Sequence, residues 1–535
     1  MRVALINYFI VFILISTTCH GQDAMIWKKY IGEIQNPEVP LLLDYSYAGY
    51  KLGKEGVPNK HKGLKVFNVL DFGAIPNDTI SDQEAIQSAI HAAEKNKGGV
   101  VFFPKGEFLV NVSPQKTNPI EIKESNIVLK GSGLGETGTT ITMKDHMLQR
   151  TPNEAEWKVS YMFTFFSKKG EREQTKITKN TNEGAFSIEV ADATIFKNAK
   201  FIQLEMPYNV GAVSESLEGR TPRPHWDKIQ NKGVTFIENH EIDHISGHVI
   251  TIKDPLINTI NTEYNWQAKP FYPLENVGVE AIHFKANFKD AFVHHKDFLH
   301  DNAWSIISMQ RVANSWVRHC RFSNTTGAVS INNSLASSIL MLWVEGNAGH
   351  KLTNVTQSTR VLTGLVTDVT NAGQFHGAAM SHKTSGSVIW RVKTPKQGWD
   401  SHADIPISNL VDLYEASKMT NHGGFYGNEP HHLKGLTLWN YKRIGAPEEN
   451  YDFWKASGPN HLYWGFAVVN PTIVGLHGSK TTLNEAHVGY LESLGTQVFP
   501  ESLYEAQLKH RLGKTPKWIC KSLKEWRKIE KNLGL

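Results

Sequence analysis

Between Lys65 and Val110 the apolar positions change period twice. "KVFNVLDFG" alternates. "EAIQSAIHAAEK" places Ala85, Ile86, Ala89, Ile90 and Ala93 on one helical stripe, and "VVFFP" is a short apolar run. This pattern predicts strand, helix, strand. Thr79, Ser81 and Asp82 offer caps for the helix, Glu84 lies in its first turn, and Gly98-Gly99 stops it. Further on, short alternating stretches recur: "VGVEAIHF", "NSWVRHCRF", "SSILMLWVEG", "TGLVTDVT", "SGSVIWRVK", "KGLTLWNYK" and "GFAVVNPTIVG". Their uneven spacing, about 22 to 45 residues, suits solenoid coils carrying loops of unequal length. A β-sandwich would repeat its strands every ~8–12 residues. "FPESLYEAQLKHRLG" predicts a helix with Pro500 near its start and Gly513 past its end, placed to cover the open edge of the last coil.

The run "NVLDFGAIPNDTISDQEAIQSAI" followed by "GGVVFFPKGEF" resembles the opening segment of the pectate-lyase-superfamily right-handed parallel β-helix, over residues 65–145. The part after residue 270, with "DYSYAGY" upstream and "PESLYEAQL" downstream, is similar to exported bacterial β-helix proteins that degrade polysaccharides. The resemblance implies an all-β solenoid, a right-handed parallel β-helix with an N-terminal capping helix and a C-terminal helical tail. It also implies a carbohydrate context. The expected organisation is a signal peptide at 1–21, an extended leader at 22–64, the β-helix at 65–490 and a helical cap at 491–535. Residues 146–265 carry fewer repeat signals and read as an inserted lobe or as irregular coils.

Composition adds little to this picture and removes some alternatives. The 535 residues are 40% hydrophobic and 20% charged, with a net charge of +5. That mild excess favours an acidic partner. Lys and Arg are dispersed, without the dense basic block of a nucleic-acid protein. "MRVALINYFIVFILISTTCHGQ" has Arg2, an apolar run of about a dozen residues where a span needs ~20, and Gly21 as a cleavage point. It predicts export, to the medium or periplasm or held at the outer membrane, with no span once the signal is removed. Thr18 before Cys19 matches a lipobox poorly. Cys320 and Cys520 alone make no disulfide framework.

Candidate chemistry comes from two places. Strand alternation would turn Val388, Trp390 and Val392 inward and Ile389, Arg391 and Lys393 outward. Aligned coils would then share His283, Arg321, Asp368 and Arg391 on one outer face. The loops are richer. Phe375 to His432 holds His376, His382, His402, His422, His431 and His432, together with Trp399, Asp400, Asp404, Asn421, Glu429 and Trp439. Gly423-Gly424 would let backbone approach a ligand closely. His294-His295 belong either to the same groove or to a turn.

Three chemistries fit such a set. β-Elimination on a uronic-acid polymer such as a glycosaminoglycan, alginate or pectin needs the sugar carboxylate neutralised, a base for the adjacent proton and an acid for the leaving oxygen. His382, His402, Arg391 and His376 are the catalytic candidates, with Tyr414 or Tyr426 as acids. Trp399, Asp400, His283, Arg321, Asn421, His422, His431, His432 and Trp439 are the substrate-binding candidates. Glycoside hydrolysis of a sulfated or unsulfated polymer needs two carboxyls about 5–5.5 or 6.5–9.5 Å apart. Asp400, Asp404, Asp412, Glu415 and Glu429 form no evident pair, so elimination is preferred. A non-catalytic adhesin would need the aromatics without the histidines. His376 and His382, six apart, match no zinc signature. No metal or other cofactor is assigned, and Ca2+ would find only Asp400 and Asp404.

Overall fold

Ile86, Ala89, Ile90 and Ala93 are buried along α1 (Gln83–Lys95), the stripe its sequence predicted, and close the first coil of the core. The computed structural model describes residues 22–533, apart from 114–117, 136, 169, 171–172, 460–461 and 463–464. The expected signal segment lies outside these. Asp82 does not cap α1. Its carboxylate accepts instead from the Ile75 and Leu109 amides, at 2.8 and 2.7 Å, and ties the helix to the strand Gly106–Val110.

The coils stack into two long parallel sheets, one of 18 strands and one of eight. The chain is a right-handed parallel β-helix. The shorter sheet runs through β1 (Ile120–Ile122), β2 (Phe163–Phe166), β3 (Ser305–Gln310), β4 (Gly327–Asn332), β5 (Lys351–Thr356), β6 (His376–Ser381), β7 (Trp399–Ser401) and β8 (Thr420–His422). Ile307, Val329, Ile331, Val355, Met380, Ile389 and Val392 belong to the core between the sheets.

In the longer sheet the expected alternation around Arg391 is displaced. Ile389 points into the core, whereas Val388 and Trp390 lie on the outer face, in a second apolar cluster. Arg391 has φ +52° and reverses the alternation, so Val392 returns inward. His319, Met341, Leu365, Leu413 and Asn440 bend the same way in neighbouring coils. Apolar residues on both faces defeat a two-residue pattern because both faces are covered. On the outside, Val39, Leu42 and Tyr45 of the leader pack over Leu362, Trp390 and Trp439, together with α2 (Leu503–Leu512) and α3 (Lys517–Leu533). Trp526 of α3 stacks on Trp343 at 4.8 Å.

Residues Thr175–Phe271 supply a six-stranded antiparallel sheet outside the coils. Its own core, including Ile188, Leu204, Phe236 and Trp266, is continuous with Ile405, Ile407, Leu433 and Trp454. No helix among the described residues is long and apolar enough to cross a membrane.

A buried ionic cluster fixes this sheet to the coils. His240 contacts Asp254 and Glu238, each at 3.0 Å, and Arg360 reaches Asp254 at 3.0 Å. Burial opposes the His240 charge, but Asp254 and Glu238 outweigh it and lift His240 to about 9. The folded state therefore holds this proton more tightly than the unfolded chain, whose histidine titrates near ~6.5. The stabilisation is complete below that pH and is lost as pH rises through about 9. The melting temperature should fall by a few degrees across that window. His240→Gln should flatten the fall.

Candidate functional site

Strands β5 to β8 and the loop 289–301 bring the site together. Register pairs Ser308, Ser330, Asn354, Ala379, Asp400 and Asn421 in one row across β3 to β8. Their sequence neighbours fill the core, so this row faces outward. At its end, His350, His376 and His402 follow at 26-residue intervals in the sequence. Their ring centroids are 5.0 and 4.7 Å apart, close to the spacing of adjacent strands, the first pair tilted and the second edge-on. His294 lies against Phe375 at 4.2 Å and 5.4 Å from His376. His295 Nδ1 contacts Asp301 Oδ2 at 2.5 Å.

Asp400 sits between two of these rings. Its Oδ2 is 3.4 Å from Nδ1 of His376 and 3.4 Å from Nδ1 of His402, off the hydrogen-bond direction. Both carboxylate oxygens and both His376 nitrogens are buried without a hydrogen-bond partner. Burial disfavours the Asp400 charge, but the flanking His376 and His402 outweigh it and hold the carboxyl far below its usual range. Burial pushes His402 down to about 4 and His294 to about 3, in both cases reinforced by neighbouring histidines. His350 is driven well below its usual value, by burial first and then by Lys351. These imidazoles are neutral at neutral pH.

His402 and His382 form the open edge, with side chains 25% and 35% exposed, whereas His376 is 1% exposed. Their rings are 6.1 Å apart. His382 Nδ1 faces Asp404 Oδ2 at 3.3 Å. Asp404 is also bound by Lys228 and by Lys383, so two ammonium groups share one carboxylate. Both lysines stand near the exposed Tyr208 ring, at 5.6 and 5.9 Å. The edge beside His382 thus combines surplus positive charge with an aromatic face.

Apart from Asn421, which follows Asp400 in the outward row, the other residues singled out by sequence lie elsewhere or are engaged in the fold. Arg391 is on the longer sheet, paired to Glu505 at 2.7 Å and Glu501 at 2.9 Å beneath the C-terminal helices. His283 and Arg321 are neighbours on that sheet, bonded to Ser323 and Glu345. Asp368 pairs in register with Val344, not with the Arg321 row, and accepts from Thr370 and Gln374 of its own turn. Trp399 and Trp439 present no ring to a sugar. Trp399 is in the core against Phe466, and Trp439 donates to the Pro500 carbonyl at 2.8 Å under the tail.

His431 accepts from the Ala467 amide, and His432 is held by Asn409 and the Leu433 carbonyl. Asn421 donates to the Phe375 carbonyl at 2.8 Å. The His422 backbone ends β8, and its side chain lies outside the described set. Tyr414 is buried, stacked on Tyr441. Tyr426 occupies the turn Tyr426–Asn428, whose last carbonyl accepts from the Asp404 amide. Glu429 is buried and accepts from Ser457 and Trp226.

Sequence reasoning missed His350, Asp301, Lys228 and Tyr208. The 26-residue interval was a usable signal for His350. Nothing local marks Lys228 or Tyr208, which arrive from the antiparallel sheet region.

Gly423 packs directly on the imidazoles. A Cβ there would meet His402 Cε1 at 2.2 Å and His376 Cε1 at 2.6 Å. Gly423→Ala should therefore displace both rings and cut activity by about an order of magnitude or more, since small misplacements are costly in active sites. The melting temperature should change little. Kinetics and thermal unfolding of the one variant check both parts.

The fold is a parallel β-helix, and its first part is similar to pectate-lyase-like proteins. Residues 66–281 match the family described as rhamnogalacturonase A/epimerase, pectate lyase-like, and residues 373–522, which hold His376, Asp400 and His402, match a domain of unknown function, DUF4955. The chain is 42% identical to alginate lyase 7 of Azotobacter vinelandii over 71 residues, 13% of this chain and 8% of that protein. It is 37% identical to mannuronan C5-epimerase AlgE4 of the same organism over 71 residues, 13% of each. The match thus spans a small fraction of either relative. A solved tailspike of Acinetobacter baumannii bacteriophage AP22, in complex with capsular saccharide, aligns over 79% of this chain and 64% of its own, with 10% identity and a TM-score of 0.42.

Proposed function

We propose that the chain cleaves a uronic-acid-containing polysaccharide by β-elimination, outside the cytoplasm, in keeping with the export signal expected at 1–21. The observation that carries this reading is the division of labour at the site edge. The carboxylates are engaged, Asp400 by two imidazoles and Asp404 by two lysines and His382, while His382 and His402 reach solvent. Proton transfer then falls to imidazoles and not to the paired carboxyls that glycoside hydrolysis requires.

In this reading the surplus charge of Lys228 and Lys383 neutralises the sugar carboxylate, and Tyr208 supports the sugar face. His402 removes the proton on the carbon bearing that carboxylate. The electron pair forms the new double bond, the neighbouring carbon–oxygen bond breaks, and His382 protonates the departing oxygen. The likeness to an alginate lyase favours a uronate polymer. The C5-epimerase likeness favours a second reading, in which the same proton is removed but returned from the opposite face without bond cleavage.

Incubation with alginate, pectin and glycosaminoglycans separates these. Elimination produces the ultraviolet absorbance of a conjugated unsaturated uronate. Epimerisation in heavy water places deuterium at C5 and yields no absorbance. New reducing ends without absorbance would replace both with hydrolysis.

A further inference from the structure

His294, His350 and His376 come from three separate segments: the loop 289–301, the residue before β5 and the first residue of β6. Each offers one ligand atom, and the three atoms lie within 4.8 Å of one another. His294 Nε2 and His350 Nε2 are buried with no hydrogen-bond partner, as are both nitrogens of His376. His350 and His376 are each 1% exposed.

The tautomers follow from what stands behind the rings. His350 Nδ1 faces the Asp301 carbonyl at 2.9 Å, and a carbonyl can only accept. Nδ1 therefore carries the proton, and Nε2 presents a bare lone pair. His376 Nδ1 faces the Asp400 carboxylate at 3.4 Å, which likewise favours the proton on Nδ1 and leaves Nε2 as a lone pair. Converging buried lone pairs repel one another and cannot satisfy one another. The third nitrogen, Nε2 of His294, is buried without a hydrogen-bond partner beside them. A cation satisfies all three. Imidazoles backed by a carboxylate or a backbone carbonyl are the arrangement that orients metal-bound histidines.

We propose that His294, His350 and His376 bind a divalent transition-metal ion of the zinc class. Asp400 and the Asp301 carbonyl orient the ligands from behind. An all-imidazole donor set suits zinc, cobalt, nickel or copper, and is wrong for calcium or magnesium, which take oxygen ligands. Metal–nitrogen bonds of about 2.1 Å require the nitrogens to close to about 3.4 Å apart, a movement that ring rotation supplies. The stack of His294 on Phe375 already sets one ring facing the others. Three protein ligands leave a fourth position open. The inference goes beyond the proposed reaction and does not depend on it, because the lone-pair geometry is the same whichever polymer is bound.

The test uses the full, untagged chain, stripped with a chelator and dialysed. Titration with Zn2+ should show binding of about one equivalent per chain. Co2+ should give the visible absorption bands of a nitrogen-ligated site of low coordination number. Ca2+ at large excess should not displace either ion. His376→Gln and His294→Gln should each weaken Zn2+ binding by at least about 100-fold, and Asp400→Asn by about 10-fold, as for lost orienting partners. His294 is only half-buried, so His294→Gln remains a folded test if His376→Gln does not fold. His432→Gln, which removes a buried histidine outside the group, should leave binding unchanged. Absence of stoichiometric Zn2+ binding would overturn the proposal. So would unchanged affinity in folded His294→Gln, or displacement of Zn2+ by Ca2+.

Discussion

His402→Ala should lower the rate of polymer cleavage by at least about 10²-fold, the range expected for loss of a general base. His402 is the ring that both contacts Asp400 and reaches the open edge. His382→Ala should reduce the rate by a similar factor, with part of the loss appearing in KM, because His382 stands in the group of Asp404, Lys228 and Lys383. Arg391→Ala provides the contrast. Its guanidinium is bound to Glu501 and Glu505 beneath the tail, so its loss should lower the melting temperature and leave kcat near normal. Steady-state kinetics on the best substrate, beside thermal unfolding of each variant, reads all three. Normal turnover in His402→Ala would place the proton transfer elsewhere.

The second large effect concerns stability. Trp390→Ala should destabilise the protein by about 3–5 kcal/mol, the usual loss for a fully buried tryptophan. Trp390 lies on the outer face of the longer sheet, 5.9 Å from the Tyr504 ring and 6.2 Å from that of Trp518, and donates to Glu505 at 3.0 Å. Its removal opens a void where sheet and helices α2 and α3 meet. Chemical denaturation should show the loss. Earlier proteolysis of the tail in the variant would show that the helices have loosened.

The opening strand, α1 and the following strand were legible because their periods differ and Gly98-Gly99 separates them. The recurrence of short strands gave the solenoid. Which face each strand turned inward was not legible at Val388–Val392. Trp390 is as apolar as a core residue because the leader and tail bury it from outside, and the left-handed bend at Arg391 shifts the count. The same coverage explains Trp439, whose ring looked available to a sugar. In the site, His376, Asp400, His402 and His382 were legible as a dense cluster in one stretch. His294 was visible but ambiguous. Lys228 and Tyr208 were not, since their place beside Asp404 depends on how the antiparallel sheet docks, which no local pattern encodes.

The covering of the longer sheet joins the two ends of the chain. The Ala24 amide donates to the Phe499 carbonyl at 2.8 Å, and the Phe499 amide to the Gln22 carbonyl at 3.0 Å. Gln507 accepts from Tyr45, and Arg511 holds Ser46 and Leu52. These partners are more than 450 residues apart in sequence, as for Tyr45 and Gln507, 462 residues apart. Coils can accumulate one upon another as they emerge, and the leader can lie on Leu362, Trp390 and Trp439, but its contacts with Phe499, Gln507 and Arg511 wait for the last helices. Its contacts are among the longest in sequence that the molecule makes, and the slowest class to form. The contacts between residues 22–52 and residues 499–511 are therefore among the last of this structure to form.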